Sequence, residues 1–357
     1  MKKWSEKQRT HNLRHALKLN ERRLRSKRQR KKTRKSHERK PRFRRRLESP
    51  RTERITCPEQ LSLEHDRTGV IDVVRHIRYI SSVPSKNPYI DFRKIQTVSL
   101  SGALILVAEL DRWNKLKRSD EDRLNTIDVH EWNSKIRYSL GQMGFFQLLK
   151  ANYPRDLQMA DKAEHFDSFQ YVKYRTDSKL DGQAIEEFRR NQLEPVLGTI
   201  PSPKHFYGAL VEAMTNVDYH AYEDKAHYPN WWLSAAIDKT TKETRIMLFD
   251  QGAGIPKTIP KNFVEAFVSV FGNNHAKLIE AAHTLGLSAS KKKNRGIGLQ
   301  RDVKNYWDIM KKDGSYSVQS LKGEYTLEKM CGVVTETRVE NHQSELPGTL
   351  IEWRIKR

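Results

Sequence analysis

The charge of this 357-residue chain is segregated, and that segregation leads us to expect folding only from about residue 56 onward. Residues 1–56 carry 24 Lys and Arg against 5 Asp and Glu, a local net charge of +19 in a chain of formal net charge +23. Stretches such as RRLRSKRQRKKTRK (22–35) and RFRRR (42–46) repel themselves. They hold too little apolar surface to offset the entropy of ordering. The expectation for 1–55 is a basic, low-complexity tail, disordered or in part helical around LRHALKL. Such a tail suits a polyanion, because each phosphate contact releases counterions. Nucleic acid is therefore an expected partner of 1–55, with DNA and RNA not distinguished. The plainer alternative is a solvated tail or an address signal.

The remaining length leaves room for about two domains. Two cysteines, Cys57 and Cys331, lie far apart and form no CxxC or Cys/His zinc pattern. A reducing cytoplasm is the simplest compartment. No apolar run follows the charged N-terminus as in a secretory signal. The longest apolar stretch, SGALILVAEL (101–110), is about half a membrane span and reads as a core helix. No membrane partner is expected.

Alternating strand and helix patterns over 56–150 predict a small α/β domain. Strands are expected near 55–63, 89–92 and 124–129, and helices near 69–80, 101–113 and 134–149. Residues 151–203 read as a connector, with a strand at 169–175 that could join the next sheet and a helix at 181–193.

Four clusters over 204–357 carry chemistry. HFYGALVEAMTNVDYHAY (205–222) has a helical period with Leu210, Met214 and Val217 on one side. Glu212 and Asn216, spaced i, i+4, share another face. A carboxylate beside an amide oxygen suits hydrated Mg²⁺ and an attacking water. In TRIMLFDQGAGIPKTI (244–259) an apolar strand ends in Asp250 and runs into Gly252, Gly254 and Ile255. That delivers a carboxylate to a tight turn, where glycine tolerates unusual backbone angles and close ligand approach. In KKKNRGIGLQRDVKNYW (291–307), Gly296 and Gly298 open a helix whose Leu299, Val303 and Tyr306/Trp307 face inward. Its free N–H groups, with Arg295 before it, suit phosphate. LPGTLIEWRI (346–355) reads as a last strand with Gly348-Thr349 at its start.

In order and spacing these four clusters resemble the GHKL ATPase superfamily. The resemblance implies a Bergerat-type α/β sandwich over 204–357, a mixed sheet with helices on one face, that binds ATP and Mg²⁺. It assigns Glu212 as general base, Asn216 as metal ligand and Asp250 as the adenine-reading carboxylate, with Gly252, Gly254 and Ile255 as its turn. Asn294, Arg295, Gly296, Gly298 and Leu299 become the phosphate box, Thr349 the last adenine-side contact, and 257–293 the ATP lid.

Over 56–150, IDF followed by SLSGALILVAEL resembles STAS domains. In that family a phosphorylatable Ser follows an Asp at the helix start. Here Ser99 stands at the Asp position and Leu100 at the acceptor position, which implies a lost switch. Ser99 or Ser101 is then expected to cap the helix. His37-Glu38-Arg39-Lys40-Pro41 is a poor histidine-kinase phosphoacceptor box, and His220 and His227 lack a third metal ligand.

The two resemblances imply a cytoplasmic ATP-binding regulator that hydrolyses ATP slowly or phosphorylates a protein Ser/Thr, and so switches a partner. Ending at Arg357, the chain is expected to lack the second domain of ATP-driven clamps. The alternative is a nucleic-acid-associated, ATP-dependent factor for stress or phage and plasmid conflict, anchored by the tail. Dimerisation is left open.

Overall fold

The computed structural model describes residues 52–83, 86–116, 128–164, 168–177, 182–220, 230–259, 264–265, 267–268, 272–285 and 303–356. The tail with its His37 box, the strand expected at 124–127, His227, and Asn294, Arg295, Gly296, Gly298 and Leu299 lie outside the described residues. So do 260–263, 266, 269–271 and 286–293 of the expected lid.

The chain is a mixed α/β protein, and Glu53–Arg357 forms one compact unit. It opens with β1 (Thr52–Thr56) and β2 (Gln60–Leu61), then α1 (Leu63–Ser82). Asp66 interrupts α1 with φ −143° and ψ 64°, and its Oδ1 accepts from the Gly69 amide. The regular helix thus restarts at a side-chain cap, just before the predicted start at 69. β3 (Asn87–Asp91) and β4 (Thr97–Val98) come next, then α2 (Leu100–Leu116). β4 runs parallel to β2.

Ser99 caps α2 as expected, its Oγ accepting from the Gly102 amide at 3.2 Å. Leu100, where the STAS resemblance would place a phosphoacceptor, is buried core. Gly102 is required where it stands, since a Cβ there would lie 2.1 Å from the Leu61 carbonyl oxygen. Of the strand expected up to 129, Asp128 is a turn residue and Val129–Glu131 a short 3₁₀ turn. Then come α3 (Ser134–Gln142), a short turn of helix at Phe145–Leu148, and α4 (Arg155–Glu164).

The second half is built on a five-stranded sheet of order β5-β6-β7-β9-β8. Its strands are β5 (Phe169–Asp177), β6 (Trp231–Asp238), β7 (Thr244–Asp250), β8 (Gly314–Met330) and β9 (Val333–Ile355). Between them lie α5 (Gly182–Phe188), α6 (Pro203–His220), α7 (His275–Leu285) and α8 (Asn305–Ile309).

The sheet departs from the expected mixed sheet in its pairing, while the helices of 204–357 lie on one face as expected. Every pairing in it is antiparallel. The connections β6–β7 and β8–β9 are short hairpins, and parallel neighbours would need a crossover. Both faces are also covered. Ile246 and Leu248 of β7 join Leu233, Ala235, Ile351 and Trp353 in one cluster with α6, α7 and α8. The alternate residues Met247 and Phe249 join Trp232, Ala236 and Leu350 in a second cluster with α1 and α2. A strand apolar at every position must be covered on both sides.

Side chains from 56–150 and from the sheet therefore share one core, and polar bonds register them. Trp232 Nε1 donates to Asp111 of α2 at 2.9 Å. Glu109 of α2 is fully buried. It accepts from Arg78 Nε at 2.8 Å, from Arg112, and from Gln251 Nε2 at 2.9 Å. Glu109→Ala would strand two arginines around an apolar gap. We expect a loss on the order of 3 kcal/mol in urea unfolding, with Glu109→Gln losing less.

Candidate functional site

Asp250 and Gln251 occupy the end of β7, where the alternation of the strand sends their side chains to opposite faces. Asp250 falls on the α6 face, as Ile246 and Leu248 do, and Gln251 on the α2 face, where it meets Glu109. Asp250 is 8% exposed. Its Oδ1 accepts from the Gly252 amide at 2.7 Å, which closes the turn. Across the sheet Asp250 pairs with Thr349. Burial pushes the Asp250 carboxyl up to about 7, against the opposing pull of hydrogen bonds from Gly252 and Thr349.

Ser320 of β8, which carried no motif in the sequence, holds the floor of this corner together. Its Oγ donates to the Gly348 carbonyl, lies 3.1 Å from Thr349 Oγ1, and accepts from the Ile255 amide at 2.9 Å. Ile255 starts a single helical turn, Ile255–Thr258, and is itself buried. Gln251 was equally invisible, standing as the unspecified residue between Asp250 and Gly252. Only the packing of α2 behind the sheet gives Gln251 its partner, and only the pairing of β8 with β9 brings Ser320 to this corner.

The glycines are needed for close packing within the protein. Gly348 has φ +133°, and a Cβ there would lie 1.9 Å from the Asp250 carbonyl oxygen. Gly254 has φ +89°, and its Cβ would meet Leu321 and Ser320 within 3.0 Å. At these two positions the close approach comes from neighbouring strands.

α6 presents Leu210, Met214 and Val217 to the same sheet face as Asp250. Glu212 and Asn216 lie on its flank and are half-buried. The side-chain nitrogen of Asn216 is buried with no hydrogen-bond partner among the described residues. Oxygen and nitrogen of an Asn amide are interchangeable by a flip, so this end of the side chain fits either an incoming acceptor or a cation. No trio of His, Cys, Asp and Glu positioned for a metal occurs among the described residues. His220 ends α6.

Part of the expected lid is firm structure. α7 (275–285) packs its Ala276, Leu278, Ile279 and Ala282 into the core. Its His283 is fully buried, bonded to the Ile279 carbonyl and to the Tyr316 hydroxyl at 2.8 Å each. Burial lowers that imidazole to about 4, so it packs as a neutral ring. Lys329 ends α8 from β8, donating to the Asp308 and Met310 carbonyls at 3.1 and 3.0 Å and also to that of Trp307. Val303, Tyr306 and Trp307 face inward as their period predicted.

A scan against protein-family models found no match, and a search of curated proteins found no significant one.

The raised Asp250 carboxyl has a consequence for stability. Between an unfolded value near 4 and a folded value of about 7, the folded state binds the extra proton. Its contribution is therefore present at low pH and is lost as pH rises through that window. In melting curves from pH 4 to 8, wild type should lose stability relative to Asp250→Asn as pH rises. A constant difference across the range would contradict the buried-carboxylate assignment.

Proposed function

We propose that the chain binds Mg·ATP at the corner formed by the end of β7, the start of the last run of β9 and the flank of α6. It would be a GHKL-type nucleotide switch of Bergerat type whose STAS-like segment packs on the back of the same sheet. The observation that carries the reading is Asp250: a buried carboxylate at a strand end, opposite Thr349 and closed by a glycine turn. A buried acceptor beside a hydroxyl suits a ligand that offers an N–H, as the amino group of adenine does.

Asn216 would hold the metal, and its unpartnered buried amide supports that role. Bound there, Mg²⁺ would neutralise charge on the phosphates. Glu212, one turn earlier, would orient and deprotonate the attacking nucleophile, water or a protein Ser/Thr hydroxyl. Asn294, Arg295, Gly296, Gly298 and Leu299 would supply the phosphate contacts, as the resemblance implies. The Gln251–Glu109 bond offers a physical route by which occupancy of the Asp250 face could be felt by α1 and α2.

The decisive experiment tracks γ-labelled ATP with Mg²⁺ over time, with free phosphate and labelled protein read from the same samples. Glu212→Gln should cut turnover by about 100-fold or more while ATP is still bound. Asp250→Ala should weaken ATP binding by about tenfold or more. Label on protein identifies a kinase, and free phosphate alone identifies an ATPase. Equal binding and turnover in wild type and both variants would remove the nucleotide reading altogether.

A further inference from the structure

Away from Asp250, an open cleft of about 740 Å³ lies between α3, α4, β5 and the helical turns at 189–197. It shares no residue with the candidate nucleotide site. Three cations line it, Arg155, Lys162 and Lys173, and no Asp or Glu does among the described residues. All three are exposed, and none forms an ion pair with a described carboxylate. Of the acids close by in sequence, Asp156 is exposed on the same helix but does not line the cleft, and two others are engaged elsewhere. Asp161 is taken by Arg137 and Tyr153, and Glu194 by Arg189.

The wall formed by α4 is regular. Arg155, Gln158, Met159 and Lys162 stand at i, i+3, i+4 and i+7, which is one helix face, and all four line the cleft. The two cations are therefore two turns apart, about 10 Å along the axis. Between them sits Met159, 61% exposed, an apolar side chain held open to solvent. Across from α4, Tyr138, Tyr171, Gln142 and Asn191 add two aromatic rings and two amides.

We propose that this cleft binds a segment of single-stranded nucleic acid. Two phosphates along one strand meet Arg155 and Lys162 where they stand. A lone phosphate engages one of these cations, or draws two flexible side chains together at a cost in their freedom. Met159 and the tyrosines offer flat or apolar surface to bases, and the amides offer both donors and acceptors to base edges. A peptide bearing a single phosphate uses one cation and leaves the rest of this wall unexplained. The charge in residues 1–56, by contrast, offers phosphate contacts without a surface for bases.

The test uses the full chain without ATP and oligonucleotides of about ten residues, a length within the usual site range. The probes are oligouridylate carrying 5-iodouracil and its deoxy counterpart, and cross-linked peptides are mapped after irradiation. Cross-links should fall on the peptides of Tyr138 or Tyr171. In Arg155→Glu/Lys162→Glu/Lys173→Glu they should drop about tenfold, while those within residues 1–51 persist. The neutral set Arg155→Gln/Lys162→Gln/Lys173→Gln should show a smaller drop in the same direction and guards against a folding defect. The ribose and deoxyribose arms decide between RNA and DNA as the source. Cross-links confined to residues 1–51 in wild type would overturn the proposal. So would cleft cross-links that a singly phosphorylated peptide displaces and unlabelled oligonucleotide does not.

Discussion

The five-stranded sheet is apolar on both faces, and the rest of the molecule is shaped by the need to cover them. Met247 and Phe249 point one way while Ile246 and Leu248 point the other. Each face buries large rings, among them Trp232 on one side and Trp353 on the other. Left open to water, either face would cost about 25 cal/mol for every Å² of apolar surface. The helices of the second half cover only one side. α1 and α2, from the first half, supply the other cover. A segment that reads in sequence as a neighbouring domain is therefore part of the same core.

Covering a sheet twice places a polar problem at its end. Asp250 and Gln251 are consecutive, so one must enter each layer. The Asp250 carboxylate loses water and compensates with Gly252 and Thr349, yet its proton affinity still rises. Gln251 reaches Glu109, which also holds Arg78 and Arg112. A buried carboxylate shared by two cations and an amide resists sliding of α1, α2 and β7, because any shift leaves a charge unpaired. The candidate nucleotide corner and the back layer thus meet within two residues of chain.

Much of the local structure was legible. The period of 205–222 predicted a helix with Leu210, Met214 and Val217 inward, and α6 has them there. The apolar run ending at Asp250 is β7, and the cap at Ser99 is present. These features depend on neighbours one to four residues away, which a sequence displays directly. Expectations failed where distant partners decide. The five-stranded sheet is antiparallel in every described pairing, and Val129 lies in a 3₁₀ turn rather than a strand. The glycines at 254 and 348 make room for Leu321, Ser320 and the Asp250 backbone, contacts no local pattern announces.

The sequence by itself determined the basic tail's composition, the strand and helix periods, and the candidate residues on which the nucleotide proposal rests. Charge density, periodicity and turn chemistry are local properties. Tertiary structure alone decided that α1 and α2 back the sheet, that Ser320 and Gln251 belong to the Asp250 corner, and that Arg155, Lys162 and Lys173 line one cleft. Those relations join side chains far apart in the chain. They arise only when burial of two sheet faces brings separate segments against one another.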